Sequence, residues 1–105
     1  MNIKFSLKNK NAIITGGGSG IGKAIAETLS IQGAYVHILD YDIDSANETA
    51  QDIKAQNLLA NAYFCDVSNF EEVSKTISSI ASLGSIDILI NNAGIAHVGN
   101  IESCE

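Results

Sequence analysis

Apolar and polar positions along this chain alternate between two patterns. Short apolar runs at Asn11–Thr15, Tyr35–Leu39, Ala60–Cys65 and Ile86–Ile90 read as buried strands. Longer segments with helical spacing separate them. Ile21 to Gln32 predicts a helix with Ala24, Ile25, Thr28 and Leu29 on one face. Gly33 stands where a helix-ending glycine belongs. Ser45 to Gln56 predicts a second helix, with Ala46, Ala50 and Ile53 inward. A third runs to about Leu83, with Val73, Ile77 and Ile80 inward and Gly84 as its stop. Ser68 and Glu71 stand three apart, the spacing of a capping box at its start. Strands separated by helices imply right-handed crossovers and a parallel sheet covered on both faces, an α/β fold. The chain has no proline to break any of these elements, and no repeat or low-complexity tract.

With 105 residues, 46% of them hydrophobic, residues 1–105 make one globular domain. No apolar run approaches the roughly 18 residues needed to span a membrane. The N-terminal residues lack the long apolar stretch of a signal peptide. Cys65 and Cys104 make no disulfide framework, so the expectation is a cytoplasmic protein with free thiols. The net charge is −6 and arginine is absent, which argues against nucleic-acid binding. Lys4, Lys8, Lys10 and Lys23 all precede the first acid, Glu27. They are read as ordinary solvated lysines that would at most help attract an anion.

The first strand leads directly into Thr15-Gly16-Gly17-Gly18-Ser19-Gly20-Ile21-Gly22 and then into the first helix. Helix-start N–H groups lack intrahelical partners and carry partial positive charge, and glycine lets a phosphate approach them. Two phosphate motifs compete. Gly17 to Lys23 matches the opening of a P-loop, but Ala24 occupies the position where a hydroxyl must bind Mg²⁺. The pattern G-x-G-x-x-G is not met in any register either. What remains is T-G-x-x-x-G-x-G, which offers the same turn, close backbone approach and tight helix–strand packing. Asp40 closes the second strand, where a carboxylate accepts hydrogen bonds from the ribose hydroxyls of NAD. It would repel a 2′-phosphate, with Asp42 and Asp44 adding to the repulsion, so NAD is expected over NADP.

Thr15-Gly16-x-x-x-Gly20-Ile21-Gly22, Asp40, Cys65-Asp66-Val67 and Asn91-Asn92-Ala93-Gly94, in that order, resemble the short-chain dehydrogenase/reductase family across essentially the whole chain. The resemblance implies a Rossmann-like, doubly wound parallel sheet of order 3-2-1-4, with later strands missing. It implies that Thr15 to Gly22, including Ser19, hold ribose and pyrophosphate, with the Ile21 N–H on phosphate. Asp40 would hold the adenosine ribose, and Asp66, with Val67 beside it, the adenine amino group. Asn92, Ala93 and Gly94 would lie along the cofactor and steady the fourth strand. The implied partners are a dinucleotide and a small carbonyl or alcohol substrate, in a protein forming homo-oligomers at full length.

One departure matters. The family's chemistry uses Ser, Tyr and Lys, the last two as Y-x-x-x-K. Tyr35, Tyr41 and Tyr63 are followed four residues later by Leu39, Ser45 and Val67. The expectation is therefore the cofactor-binding half of an oxidoreductase, truncated before its catalytic segment and inactive by itself. The alternative is a non-catalytic nucleotide-binding or interaction module. His37 is read as structural and His97 as an ordinary loop histidine, and no ligand spacing supports a metal.

Overall fold

The computed structural model describes residues 6–18 and 20–92. Seven elements alternate: β1 (Asn11–Thr15), α1 (Gly20–Ile31), β2 (Tyr35–Asp40), α2 (Ile43–Lys54), β3 (Ala60–Phe64), α3 (Phe70–Ala81) and β4 (Ile88–Asn91). The strands form one parallel sheet of order β3-β2-β1-β4. The expected α/β fold and strand order are therefore both present.

Strand periodicity divides the core into two layers. Ala12, Ile14, Val36, Ile38 and Ala60 point to one face, where Ala26 of α1 and Ala46, Ala50 and Ile53 of α2 cover them. Ile13 and Leu39 point to the other, where Cys65 and Ile80 join them. Val73 and Ile77 of α3 pack against that second layer. The chain runs β1 to β2 to β3 with helices on one face. It then crosses back to β4 on the far side of β1, with α3 on the other face. The direction change opens the carboxyl ends of β1 and β4.

The inward face of α1 differs from expectation. Its buried positions are Gly22, Ala26 and Ser30, while Ala24 and Thr28 are exposed and Ile25 and Leu29 only half-buried. Apolar spacing favours the stripe with the larger side chains. Ile25 and Leu29 pack against the flank of the first core layer, and the small residues Gly22, Ala26 and Ser30 lie directly beneath the helix, where Gly22 has no room for a Cβ. In α2 the expected Ala46, Ala50 and Ile53 are inward, joined by Thr49.

Helix ends are set by specific polar groups. Asp42 caps α2, which begins at Ile43, two residues before the expected start: its Oδ1 accepts the Ser45 N–H at 3.1 Å and its Oδ2 the Ser45 hydroxyl at 2.8 Å. These bonds, the side-chain one foremost, hold the Asp42 carboxyl below the ordinary carboxylate range. The capping box expected at Ser68 and Glu71 is absent. Asn69 is the cap, accepting the Glu72 N–H at 3.1 Å, and Ser68 bonds to Asp66 instead. Asn69 lies one residue nearer the helix and carries an equally good acceptor, so the cap moves by one position, while the Glu72 carboxylate takes the Asp66 N–H instead of returning to the cap. At the other ends, α1 and α2 close with the same device. Gly33 and Asn57 take left-handed backbone, with φ of 109° and 65°. The following N–H groups of Ala34 and Leu58 return to the carbonyls of Leu29 and Ile53.

A polar ladder crosses the α3 face of the sheet. His37, buried on β2, stacks on Tyr35 with ring centroids 4.5 Å apart. The Asn11 amide nitrogen donates to the Ser85 carbonyl, which turns Asn11 Oδ1 toward His37 Nε2 at 3.2 Å. Nε2 therefore carries the proton, and Nδ1 accepts from the Tyr63 hydroxyl at 2.9 Å. The neutral ring is fully bonded, and burial pushes its pKa down.

Because the folded imidazole resists protonation, the unfolded chain takes up the proton first as pH falls below about 6.5. Stability is complete above that value. It declines below it until the folded-state ring also titrates. Urea unfolding should show a lower midpoint at pH 5.5 than at pH 7.5, and the His37→Phe variant should lose most of that difference. A wild-type midpoint that does not move would refute the assignment.

Candidate functional site

The site is built where β1 ends. Gly16 keeps the chain paired with β2 for one more residue, its N–H donating to the Leu39 carbonyl at 2.7 Å. The backbone then turns through Gly17 and Gly18, both buried, and enters α1 at Gly20. Gly16 and Gly20 have left-handed backbone, with φ of 70° and 61°. The first turn of α1 presents N–H groups that no earlier helical turn can use, at the positive end of the helix dipole. A Cβ on Gly20 would meet nothing within 4 Å, so this approach is open. Ile21 follows and is exposed.

Three neighbouring elements hold this loop by its backbone. From β2, Asp40 Oδ2 accepts the Gly18 N–H at 3.0 Å, while Oδ1 accepts the Asp42 N–H at 3.0 Å. From α2, the buried Thr49 hydroxyl donates to the Gly18 carbonyl at 3.1 Å. From the end of β4, the Asn92 amide donates to the Gly16 carbonyl at 3.1 Å. The Thr15 hydroxyl meets Asn91 Oδ1 at 2.9 Å, joining the ends of β1 and β4 a second time.

Two glycines are required by close approach. A Cβ on Gly18 would lie 2.7 Å from Asp40 Oδ2, 2.8 Å from Ser45 Cβ and 2.9 Å from the Ala46 nitrogen. A Cβ on Gly22 would fall on the Gly16 carbonyl oxygen and 2.8 Å from the Asn92 amide nitrogen. Gly18 stands at an unassigned position of T-G-x-x-x-G-x-G, so the motif gives no hint of this constraint. Thr49 was also missed. Its signal was a hydroxyl inside the buried stripe of Ala46, Ala50 and Ile53.

Asp66 and Val67 follow β3. Val67 packs half-buried against the Ile13 and Leu39 layer. Asp66 Oδ1 accepts the Ser68 N–H at 3.1 Å and the Ser68 hydroxyl at 2.6 Å. The adjacent Cys65 is buried, and that burial raises its thiol pKa, so it is a core residue rather than a nucleophile. Lys23 pairs with Asp52 of α2 at 3.3 Å and is thus committed to the helix surface. Ser19, Ala93, Gly94, His97 and Cys104 lie outside the described residues. Among the described residues no group of His, Cys, Asp and Glu is arranged to hold a metal.

Strand order places these groups in one row along the carboxyl edge of the sheet. Asp66 follows β3, Asp40 ends β2, the glycine loop follows β1, and Asn91 and Asn92 close β4. Carboxylate acceptors occupy one end of the row and anion-seeking backbone donors its middle. The row suits an elongated ligand with hydroxyls near one end and phosphate at its centre.

Comparison with known proteins gives the family. The family model described as short chain dehydrogenase matches residues 10–105. The 7alpha-hydroxysteroid dehydrogenase of Escherichia coli (strain K12) is 44% identical over 89 residues, covering 84% of this chain and 35% of that protein. The 2,3-dihydro-2,3-dihydroxybenzoate dehydrogenase of Bacillus subtilis (strain 168) is 36% identical over 104 residues, covering 98% and 40%. Among solved structures, 7 alpha-hydroxysteroid dehydrogenase complexed with NADH and 7-oxo glycochenodeoxycholic acid is similar with a TM-score of 0.79. Its sequence identity is 40%, covering 85% of this chain and 36% of that one. The Pseudomonas aeruginosa RhlG/NADP active-site complex is similar with a TM-score of 0.76 and 33% identity, covering 88% and 37%. The chain belongs to the short-chain dehydrogenase/reductase family, and it spans little more than a third of the length of these relatives.

Two substitutions test the loop's anchoring. Thr49→Val leaves the buried Gly18 carbonyl without its donor and should destabilise the fold by about 1–3 kcal/mol, read from urea unfolding. Gly22→Ala should lower the thermal midpoint more than Gly20→Ala. The first forces α1 off the Gly16 carbonyl, while the second strains only its own backbone, by about 1–2 kcal/mol. Equal shifts for the two alanines would contradict the close-approach reading.

Proposed function

We propose that this chain binds NAD(H) along the carboxyl edge of its sheet, as the cofactor-binding part of an oxidoreductase that interconverts a carbonyl and a hydroxyl compound. The observation that carries the proposal is the row from Asp66 through Asp40 and the glycine loop to Asn92. The residues present fit a dinucleotide. Gly20 leaves open space at the N-terminus of α1, and the positions of Gly18 and Gly22 leave no room for side chains that would crowd the loop.

In this reading Thr15, Gly16, Ser19, Gly20, Ile21 and Gly22 hold the pyrophosphate and adjoining ribose, with the Ile21 N–H donating to a phosphate oxygen. Asp40 accepts from the adenosine ribose hydroxyls. Each of its oxygens already takes one backbone bond and has a further lone pair to offer. Asp66 accepts from the adenine amino group, with Val67 beside the ring. Asn92, Ala93 and Gly94 lie along the cofactor toward its nicotinamide end. When bound, the nicotinamide would supply or take up a hydride. Residues 1–105 contain no Tyr-x-x-x-Lys, so no proton transfer is assigned to them.

The preference for NAD over NADP rests on Asp40, whose carboxylate would face a 2′-phosphate with no arginine in the sequence to neutralise it. The relatives include one structure with NADH and one with NADP, so the fold accepts either and local charge decides. The substrate is proposed only as a small carbonyl or alcohol compound. A cytoplasmic, homo-oligomeric full-length protein completes the reading. Cys65 is a free thiol, and among the described residues no helix is long and apolar enough to cross a membrane.

Titration of NAD and NADP into the full-length protein tests the cofactor assignment. NAD should bind more tightly. Asp40→Ala should weaken NAD and narrow the preference, and should also loosen the Gly18 anchor. Tighter binding of NADP by the wild type would overturn the assignment.

A further inference from the structure

We infer that Glu72, on the first turn of α3, is a positioning residue that aims the Asp66 carboxylate at the adenine amino group. The inference rests on the role proposed above for Asp66.

In a capping box the carboxylate three residues after the cap returns to the cap's own N–H. Here the Asn69 N–H is already taken by the Asp66 carbonyl at 2.9 Å. The Glu72 side chain is thereby released for a different donor. Its Oε1 accepts the N–H of Asp66, six residues upstream, at the mouth of β3. The rest of Glu72 is fixed by the helix. Its N–H donates to Asn69 Oδ1 at 3.1 Å and its carbonyl accepts the Thr76 hydroxyl at 2.9 Å.

Asp66 is consequently held on every polar group but one. Glu72 takes its N–H, Asn69 its carbonyl, and Ser68 its Oδ1 twice. The next residue, Val67, packs against the core. Among the described residues no bond to Asp66 Oδ2 is found. A carboxylate held this way keeps one oxygen free and pointed in a set direction, which suits a single N–H donor from a ligand. Without Glu72 the Asp66 N–H loses its acceptor, and the turn that sets the Cα–Cβ direction of Asp66 loosens.

A merely structural role would lower stability without changing base selectivity, so the test reads both. The probes are NAD and its hypoxanthine analogue, in which a carbonyl oxygen replaces the adenine amino group. Dissociation constants and thermal midpoints are measured on the full-length protein and its variants. The wild type should prefer NAD about ten-fold or more, the scale of one hydrogen bond to a charged group. Asp66→Ala should abolish the preference. Glu72→Ala should bring the ratio below about three-fold, while Glu72→Gln, which retains an acceptor oxygen, should stay near the wild type. Glu72→Asp keeps the charge but is one methylene shorter. It should lose the preference as the alanine variant does, and it serves if that variant fails to fold. A lowered midpoint with an unchanged ratio in both Glu72→Ala and Glu72→Asp would overturn the inference while leaving the Asp66 reading intact. Equal binding of the two dinucleotides by the wild type would overturn the Asp66 reading and the inference with it.

Discussion

The close approach of α1 to the end of β1 is the constraint from which the rest of the site follows. The Gly16 carbonyl occupies the space where a Cβ of residue 22 would be, so helix and strand meet at a distance only glycine permits. Gly22 begins the buried stripe of α1, which Ala26 and Ser30 continue, with Ile25 and Leu29 packed at its flank. The same approach places the first turn of α1 at the carboxyl edge, where the ends of β1 and β4 are joined through Thr15, Asn91 and Asn92.

A loop of glycines has little intrinsic reason to keep one shape, since glycine gives up more conformational freedom on folding than any other residue. Its shape is imposed from outside. Asp40 and Thr49 take the two polar groups of Gly18, and Asn92 takes the carbonyl of Gly16. Asp40 thus has two duties. It is proposed to hold a ribose at the end of β2, and its bond to Gly18 fixes the loop proposed to receive the pyrophosphate. A substitution there disturbs both, so loss of affinity alone would not show which contact was removed. The second carboxylate in the row, Asp66, is held in a comparable way by Ser68, Asn69 and Glu72. In both cases acidic side chains near a strand end are tied to backbone N–H groups before any ligand is present.

Much of this was legible in the chain itself. Four short apolar runs alternating with helical spacing determined the order and kind of the elements. The glycine cluster between a strand and a helix, with Asp40 ending the next strand, located the edge at which a phosphate-bearing ligand would lie. These features are local. They depend on side-chain period, glycine's backbone freedom and charge at a strand end, all of which act over a few residues. Element boundaries were less legible, because neighbouring caps compete. Asp42 outdid Ser45 as the start of α2, and Asn69 outdid Ser68 at α3, since each of these acceptors reaches the N–H three residues on.

Tertiary structure alone decided which groups touch across the sequence. Gly18 is obligatory because α2 packs over it, and Thr49 matters because that packing brings a buried hydroxyl to the loop. Asn92 reaches Gly16 because β4 returns beside β1. On α1 the apolar spacing found Ile25 and Leu29, which pack on the core, while the fully buried Gly22, Ala26 and Ser30 follow from where the helix sits on the sheet. Such contacts join residues far apart in the chain through the strand order, and no local period carries that information. The sequence by itself therefore determined the elements, their order and the place of the candidate site, while the folded sheet decided which groups hold the loop and how the carboxylates of Asp40 and Asp66 are held.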